Sequence, residues 1–129
     1  MGEISVKKTV VILAHTLAGW ALCAATIGIS MQVFSLLAAL IIHAFGAPIF
    51  FGLVSWNYFK RFRHTSAILT ATIFVLAVIF LDFFLVALAI QGSLAMFASL
   101  LGTWIPFALI FVSTYLTGRW WESFADRRA

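Results

Sequence analysis

Four long apolar stretches, separated by short polar segments, dominate the pattern of residues along this chain. They cover residues 9–30, 33–56, 66–90 and 94–118. A helix needs about 20 mostly apolar residues to cross the roughly 30 Å hydrocarbon core of a bilayer, and each stretch meets that length. Strands are implausible, because an open sheet cannot span lipid and a barrel strand alternates polar and apolar residues. The pattern predicts an all-α protein with four transmembrane helices.

The composition favours the same architecture. Of the 129 residues, 64% are hydrophobic and only 9% are charged, against roughly 45–50% and about 25% in soluble domains. The mean hydropathy is +1.14. A soluble chain this short cannot hide so much apolar surface, because small domains have proportionally more exterior. We therefore expect a single membrane domain over residues 1–129, with the lipid bilayer as its surroundings.

The positive charges indicate the orientation of the helices. Four crossings place every lysine and arginine on one face of the membrane, whereas three crossings would divide them. The basic residues are Lys7, Lys8, Lys60, Arg61, Arg63, Arg119, Arg127 and Arg128. The positive-inside rule assigns that face to the cytoplasm. We predict an antiparallel four-helix transmembrane bundle with both termini cytoplasmic, a multi-pass protein of a plasma membrane of the bacterial inner-membrane type. The basic charge then reflects topology, so we expect no nucleic-acid partner.

Aromatic residues crowd the basic ends of the helices, where amphipathic rings suit the headgroup layer. Trp56, Tyr58, Trp120 and Trp121 are the examples. We expect the tail after residue 118 to lie in the interface as a short extension that anchors the fourth helix. The two halves of the chain also share a faint repeat, in which a Ser-Leu-Leu triplet, at residues 35–37 and 99–101, precedes a tryptophan at the same distance. Apolar sequences match easily by chance, so we interpret the repeat as coincidence.

Asp82 is the most informative polar residue, because it is the one acidic residue inside the apolar stretches. A carboxylate at the centre of a membrane helix costs about 2.5–3.5 kcal/mol on the insertion scale, and such residues usually face the bundle interior and find a partner. Counted from the uncharged face, His43 and Asp82 lie within roughly 5 Å of the same depth. Thr103 and Trp104 lie at a similar depth. We therefore predict a midplane site of His43, Asp82, Thr103 and Trp104.

Two interpretations of this cluster stay open. A histidine and a carboxylate can hold or relay a proton, or the two side chains can simply satisfy one another and lock the helices together. Pro48 and Pro106 are expected to interrupt the second and fourth helices beside the cluster, where kinks often shape a cavity.

His15 is a secondary candidate, nearer the basic face on one helix side with Gly19 and Cys23. A haem between His15 and His43 is disfavoured, because the two differ in depth by about 10 Å and axial ligands need nearly equal depth. A haem held by His43 across a dimer is left open, and no cofactor is predicted otherwise. Cys23 is the one cysteine, so neither an intrachain disulfide nor a cysteine-based metal cluster can form.

No motif of a soluble enzyme is present. The leading hypothesis is a small transport or permeation protein that uses the midplane His43–Asp82 site. The alternatives are a non-catalytic accessory subunit of a larger membrane complex and, more weakly supported, a membrane redox or lipid-modifying enzyme. Because four short helices leave little room for an internal pathway, we expect the chain to form homo-oligomers or to join a larger complex.

Overall fold

Four helices, two of them extended by π-helical segments, make up the structure. The structure is a computed structural model. It describes the backbone of residues 2–62 and 65–128 and the side chains of residues 6–62, 65–90 and 92–124. The helices are α1 (Gly2–Val33), α2 (Leu36–Arg61), α3 (Ala67–Leu81) continued by the π-helical segment π1 (Asp82–Gln91), a 3-10 helix (Ala95–Ala98), and π2 (Leu100–Trp104) continued by α4 (Ile105–Arg128). The described residues contain no strand, which confirms the all-α prediction.

Each of the four apolar stretches corresponds to a helical span. The segments Val6–Val33, Leu36–Arg61, Ala67–Ile90 and Leu100–Phe124 are long and apolar enough to cross a membrane. The chain is therefore a multi-pass integral membrane protein, as its hydropathy predicts.

Serine residues fix where three of the helical units begin. The hydroxyl oxygens of Ser35, Ser66 and Ser99 each accept a hydrogen bond from the backbone N–H three residues later, at 3.2, 3.3 and 2.9 Å. Such caps satisfy N–H groups that have no partner inside the helix. They explain why the second span begins at Leu36 rather than at residue 33, and why the fourth begins at Leu100 rather than at residue 94.

The helices form a ring in the order α1, α2, α4, α3, so α2 packs against both α1 and α4, and α3 against both α4 and α1. Contacts near the helix ends give the directions. Trp56 near the end of α2 stacks on Trp120 of α4, with ring centroids 5.1 Å apart, so these two neighbours run parallel. Asn57 of α2 contacts His15 near the beginning of α1. The beginning of α1 and the ends of α2 and α4 therefore share one end of the bundle, which we call the basic end, and the other is the uncharged end.

The two members of the sequence repeat occupy equivalent places in this arrangement. Ser35 and Ser99 both cap helices at the uncharged end, and the two matching tryptophans, Trp56 and Trp120, stack on each other at the basic end. The α1–α2 and α3–α4 hairpins thus lie side by side with α2 and α4 in register.

Aromatic side chains fill the half of the bundle near the basic end. Phe51, Tyr58, Phe59 and Phe74 are all fully buried, at 0–1% exposure. Gly118 allows α4 to approach this core closely, because a Cβ at that position would lie 2.6 Å from the Ala67 Cβ. This half of the bundle is tightly packed and blocks the interior from the basic end.

Several local expectations need correction. The helix α2 continues unbroken through Pro48, and Pro106 is the second residue of α4 rather than an interruption in its middle. The tail is a helical extension of the fourth span, because α4 continues as far as Arg128. It is tied to the bundle, because a Glu122 carboxylate oxygen accepts a hydrogen bond from the Ala67 N–H at 3.4 Å. Arg63 and His64 in the basic loop, the side chains of Arg127 and Arg128, and Ala129 lie outside the described residues.

Candidate functional site

A cavity of about 400 Å³ occupies the half of the bundle near the uncharged end, and side chains of all four helical units line it. Its rim includes Met31 and Leu36, which are 53% and 59% exposed where α1 gives way to α2. Its floor is formed by the buried side chains of Val78, Phe107 and Ile110. The cavity therefore reaches the surface at the uncharged end and is closed towards the aromatic core.

Asp82 lies at the closed end of this cavity and is held by Trp20. The indole Nε1–H of Trp20 donates a hydrogen bond to Oδ1 of Asp82 at 2.8 Å, which joins α1 to the α3–π1 unit. A tryptophan indole is a donor only, so the bond orients one oxygen of the carboxyl group. Both side chains line the cavity.

His43 also lines the closed end of the cavity, on α2. Its Nδ1 is buried and has no hydrogen-bond partner among the described residues. In the same part of the chain, no hydrogen bond or ion pair joins His43 to Asp82. The two residues share one cavity, but the direct partner of Asp82 is Trp20 rather than His43.

The structure separates the other two members of the predicted site. Thr103 is 2% exposed and lines the cavity, and its hydroxyl donates to the Met96 carbonyl at 2.5 Å. Trp104 points away from the cavity. It is 45% exposed, and its indole donates to the Phe97 carbonyl at 2.7 Å. Trp104 thus braces the preceding 3-10 turn instead of contributing to the cavity.

Comparison with protein families, with curated proteins and with solved structures finds no match for this chain.

Irregular backbone forms the wall of the cavity on the side of the third and fourth spans. Asp82 and Val86 belong to π1, and Gly102 and Thr103 belong to π2. The π2 register suits the following Pro106, which lacks an N–H and whose ring would clash with the carbonyl four residues earlier in an α-helix. In the π2 register, the Ile105 N–H donates to the carbonyl of Leu100, five residues earlier, instead of to the carbonyl four residues earlier as in an α-helix. π-helical geometry is rare and is frequently found at functional sites.

His15 lies outside this cavity, in a shallow surface groove of about 350 Å³ between α1 and α2. Its Nδ1 lies 2.8 Å from the Val11 carbonyl and its Nε2 lies 2.8 Å from the Asn57 amide nitrogen. The Nδ1–H therefore donates to the carbonyl, and Nε2 accepts from the amide. Both ring nitrogens are occupied, so His15 links the two helices and has no nitrogen free for a ligand. Sequence reasoning overlooked Asn57, its partner.

Asp82 has no compensating cation in the part of the chain that the structure describes. The ion pair found there, Arg119 with Glu122 at 3.7 Å, lies near the basic end. The same residues contain no group of three or more His, Cys, Asp or Glu side chains that would hold a metal ion. The polar side chains of the cavity are thus one carboxyl group, one imidazole, one indole, one thiol and two hydroxyls, those of Ser99 and Thr103.

Trp20 and Cys23 are the site residues that sequence reasoning missed. Both line the cavity on α1. Trp20 could have been predicted from the sequence, because a buried tryptophan far from the membrane interface needs a hydrogen-bond partner for its indole N–H. Cys23 carried no such signal, since a lone cysteine behaves as a small apolar residue.

Proposed function

We propose that this protein binds a small, largely apolar molecule in the cavity near the uncharged end and serves its transport or permeation through the membrane. The observation that carries the proposal is the asymmetry of the bundle. One half holds a cavity of about 400 Å³ with Asp82 and His43 at its closed end, and the other half is filled by fully buried aromatic side chains.

The size and lining of the cavity support a small-molecule ligand. Binding pockets commonly enclose about 300–1,000 Å³ and combine mostly apolar walls with a few polar groups that orient the ligand. Ionisable residues within membrane spans often mark substrate or ion pathways. Here both features coincide, because Asp82 and His43 are the ionisable side chains of the cavity apart from Cys23.

The closed floor favours a carrier-like mechanism over a continuous pore. A ligand that enters from the uncharged end meets Val78, Phe107 and Ile110, which are 2–5% exposed. Passage to the basic end then requires the helices to rearrange, as in alternating access. The packed half supplies the barrier that such a mechanism needs.

Two adjacent alanines on α1 provide a matched test. Ala24 lines the cavity, whereas Ala25 is exposed on the helix surface. Ala24→Phe should place a ring in the cavity and abolish ligand binding, and Ala25→Phe should leave binding unchanged. The measurement is the thermal unfolding midpoint of purified protein with a panel of small amphipathic molecules. A ligand at 100 times its Kd stabilises the folded state by about 2.7 kcal/mol.

The expected result is at least one compound that raises the unfolding midpoint of the wild type and of Ala25→Phe but not that of Ala24→Phe. If every stabilising compound acts equally on all three proteins, the cavity is not the binding site. If no compound stabilises the wild type, the proposal fails for the classes of molecule in the panel.

A further inference from the structure

We propose that the ligand of this cavity is a small organic cation, such as a protonated amine with an apolar body, and that Asp82 binds its charged group. This inference rests on the proposed function and names the class of molecule that the cavity selects. It is carried by the charges and hydrogen bonds at the closed end of the cavity.

The carboxyl group of Asp82 has unused capacity for hydrogen bonds. A carboxylate can accept about four hydrogen bonds over its two oxygens, and the bond found among the described residues is the one from Trp20 to Oδ1. Asp82 borders the cavity, so an ammonium group placed there would find a free carboxylate oxygen. A buried charge is costly without a partner, and a cationic ligand supplies that partner.

No side chain competes for this role in the described part of the chain. Its described lysines and arginines, Lys7, Lys8, Lys60, Arg61 and Arg119, lie at the basic end, on the far side of the aromatic core. His43 is the nearest basic side chain among the cavity residues, and it makes no hydrogen bond to Asp82.

The remaining walls suit the rest of such a ligand. Trp20 contacts Asp82 through its indole N–H, Phe107 lines the same cavity, and aromatic faces attract organic cations. Apolar side chains such as Leu40 surround the route to the rim. A molecule with one charged end and an apolar body matches this distribution of one carboxyl group within largely apolar walls.

Three probes with the same apolar body and different charge test the inference. These are 4-phenylbutylamine, 4-phenylbutanol and 5-phenylpentanoate, added to the purified protein at neutral pH. The concentration that gives half-maximal thermal stabilisation measures binding. We expect the amine to bind at least about tenfold more tightly than the alcohol, which corresponds to about 1.4 kcal/mol, and the carboxylate to bind most weakly.

Substitution of the carboxyl group should remove this order. Asp82→Asn keeps an oxygen that accepts the Trp20 bond, so the fold should be retained while the amine loses its advantage over the alcohol. Glu122→Gln is the matched control, because Glu122 lies near the basic end and its replacement should leave the amine preference unchanged.

The outcomes separate this inference from the proposed function. If the alcohol or the carboxylate binds the wild type as tightly as the amine, the cavity binds ligands but does not select cations, and the inference is overturned alone. If none of the three probes stabilises the wild type, this inference is overturned, and the proposed function is decided separately by the comparison of Ala24→Phe with Ala25→Phe. An amine preference that persists in Asp82→Asn also overturns the assignment of Asp82.

Discussion

At the scale of single residues, the structure gives Asp82 a partner that depth alone does not reveal. His43 and Asp82 were predicted to share a site because they lie at similar depths along the membrane normal. Both do line one cavity. Depth says nothing about rotation around a helix axis, however, and it is the rotation of α1 that turns the Trp20 indole towards the carboxyl group at 2.8 Å. The hydrogen bond therefore links α1 to the third span.

The residue-scale prediction concerns the hydrogen bond between Trp20 and Asp82. A double-mutant cycle with Trp20→Phe and Asp82→Ala should give a coupling energy of about 1 kcal/mol, because interhelical hydrogen bonds in membranes average about 0.6 and reach about 1.7 kcal/mol. The parallel cycle with His43→Ala and Asp82→Ala should give a smaller coupling. Reversible unfolding in mixed micelles measures each free energy. A larger coupling to His43 than to Trp20 would contradict the contacts described above.

Sequence reasoning recovered the members of the site unevenly, for physical reasons. The cost of a charge in lipid singled out Asp82, and position along the helices added His43 and Thr103, all of which line the cavity. Trp104 has a suitable depth but is half exposed, because the side on which a residue lies depends on the helix phase. The sequence does not give the rotation of each helix about its axis. For that reason Trp104 was included in the predicted site and Trp20 was not.

At the scale of elements, the third and fourth spans change their backbone type along their length, whereas α1 and α2 do not. The third and fourth spans are α-helical near the basic end, at Ala67–Leu81 and Ile105–Arg128, and the π-helical and 3-10 segments lie between them, beside the cavity. Hydropathy reports only that residues are apolar, whichever hydrogen-bond register they adopt. It therefore predicted four spans correctly, and Pro106 suggested an interruption of the fourth, but the π-helical and 3-10 segments themselves were not predicted.

The element-scale prediction tests the packed half through its glycines. Gly118→Ala should destabilise the protein by about 1–3 kcal/mol, the usual cost of overpacking. Its new Cβ would lie 2.7 Å from the ring of Phe59 and 2.8 Å from the Cα of Ala67, and backbone atoms cannot simply rotate away. Gly52→Ala is the control, because a Cβ there meets nothing within 4 Å.

The control substitution should be neutral or mildly stabilising, since alanine is favoured over glycine within a helix by about 0.5–1 kcal/mol. Both variants can be followed by thermal unfolding in the same detergent. Equal stability of Gly118→Ala and Gly52→Ala would show that α4 does not approach α3 as closely as described.

At the scale of the whole molecule, the bundle is divided between a packed half and a hollow half. The basic end is held by the stacked Trp56 and Trp120 rings and by Glu122, which caps the beginning of α3. The uncharged end carries the rim of the cavity. Charge, hydropathy and aromatic placement predicted the number and direction of the helices, but no linear pattern encodes the void that remains when those helices pack.

Cysteines placed at two positions on α1 offer the most direct measurement of this division. Ala24 lines the cavity and is partly exposed, whereas the neighbouring Cys23 is buried at 6% exposure, so the cavity is probed by Ala24→Cys in a Cys23→Ala background. Thr16 lies two helical turns nearer the basic end and is 1% exposed, so Thr16→Cys in a Cys23→Ala background is a matched control in the packed half. Vesicles of known orientation are treated from each side with a membrane-impermeant thiol reagent, and the rate of modification is determined by mass spectrometry.

We predict that the cysteine at position 24 reacts from the face that carries Gln32 and Gly92 at least about tenfold faster than from the opposite face. The cysteine at position 16 should be protected from both sides, since thiol reactions at buried sites are limited by access. Equal rates for the two cysteines, or faster modification of the cysteine at position 24 from the face that carries Lys60, would contradict a cavity that opens at the uncharged end.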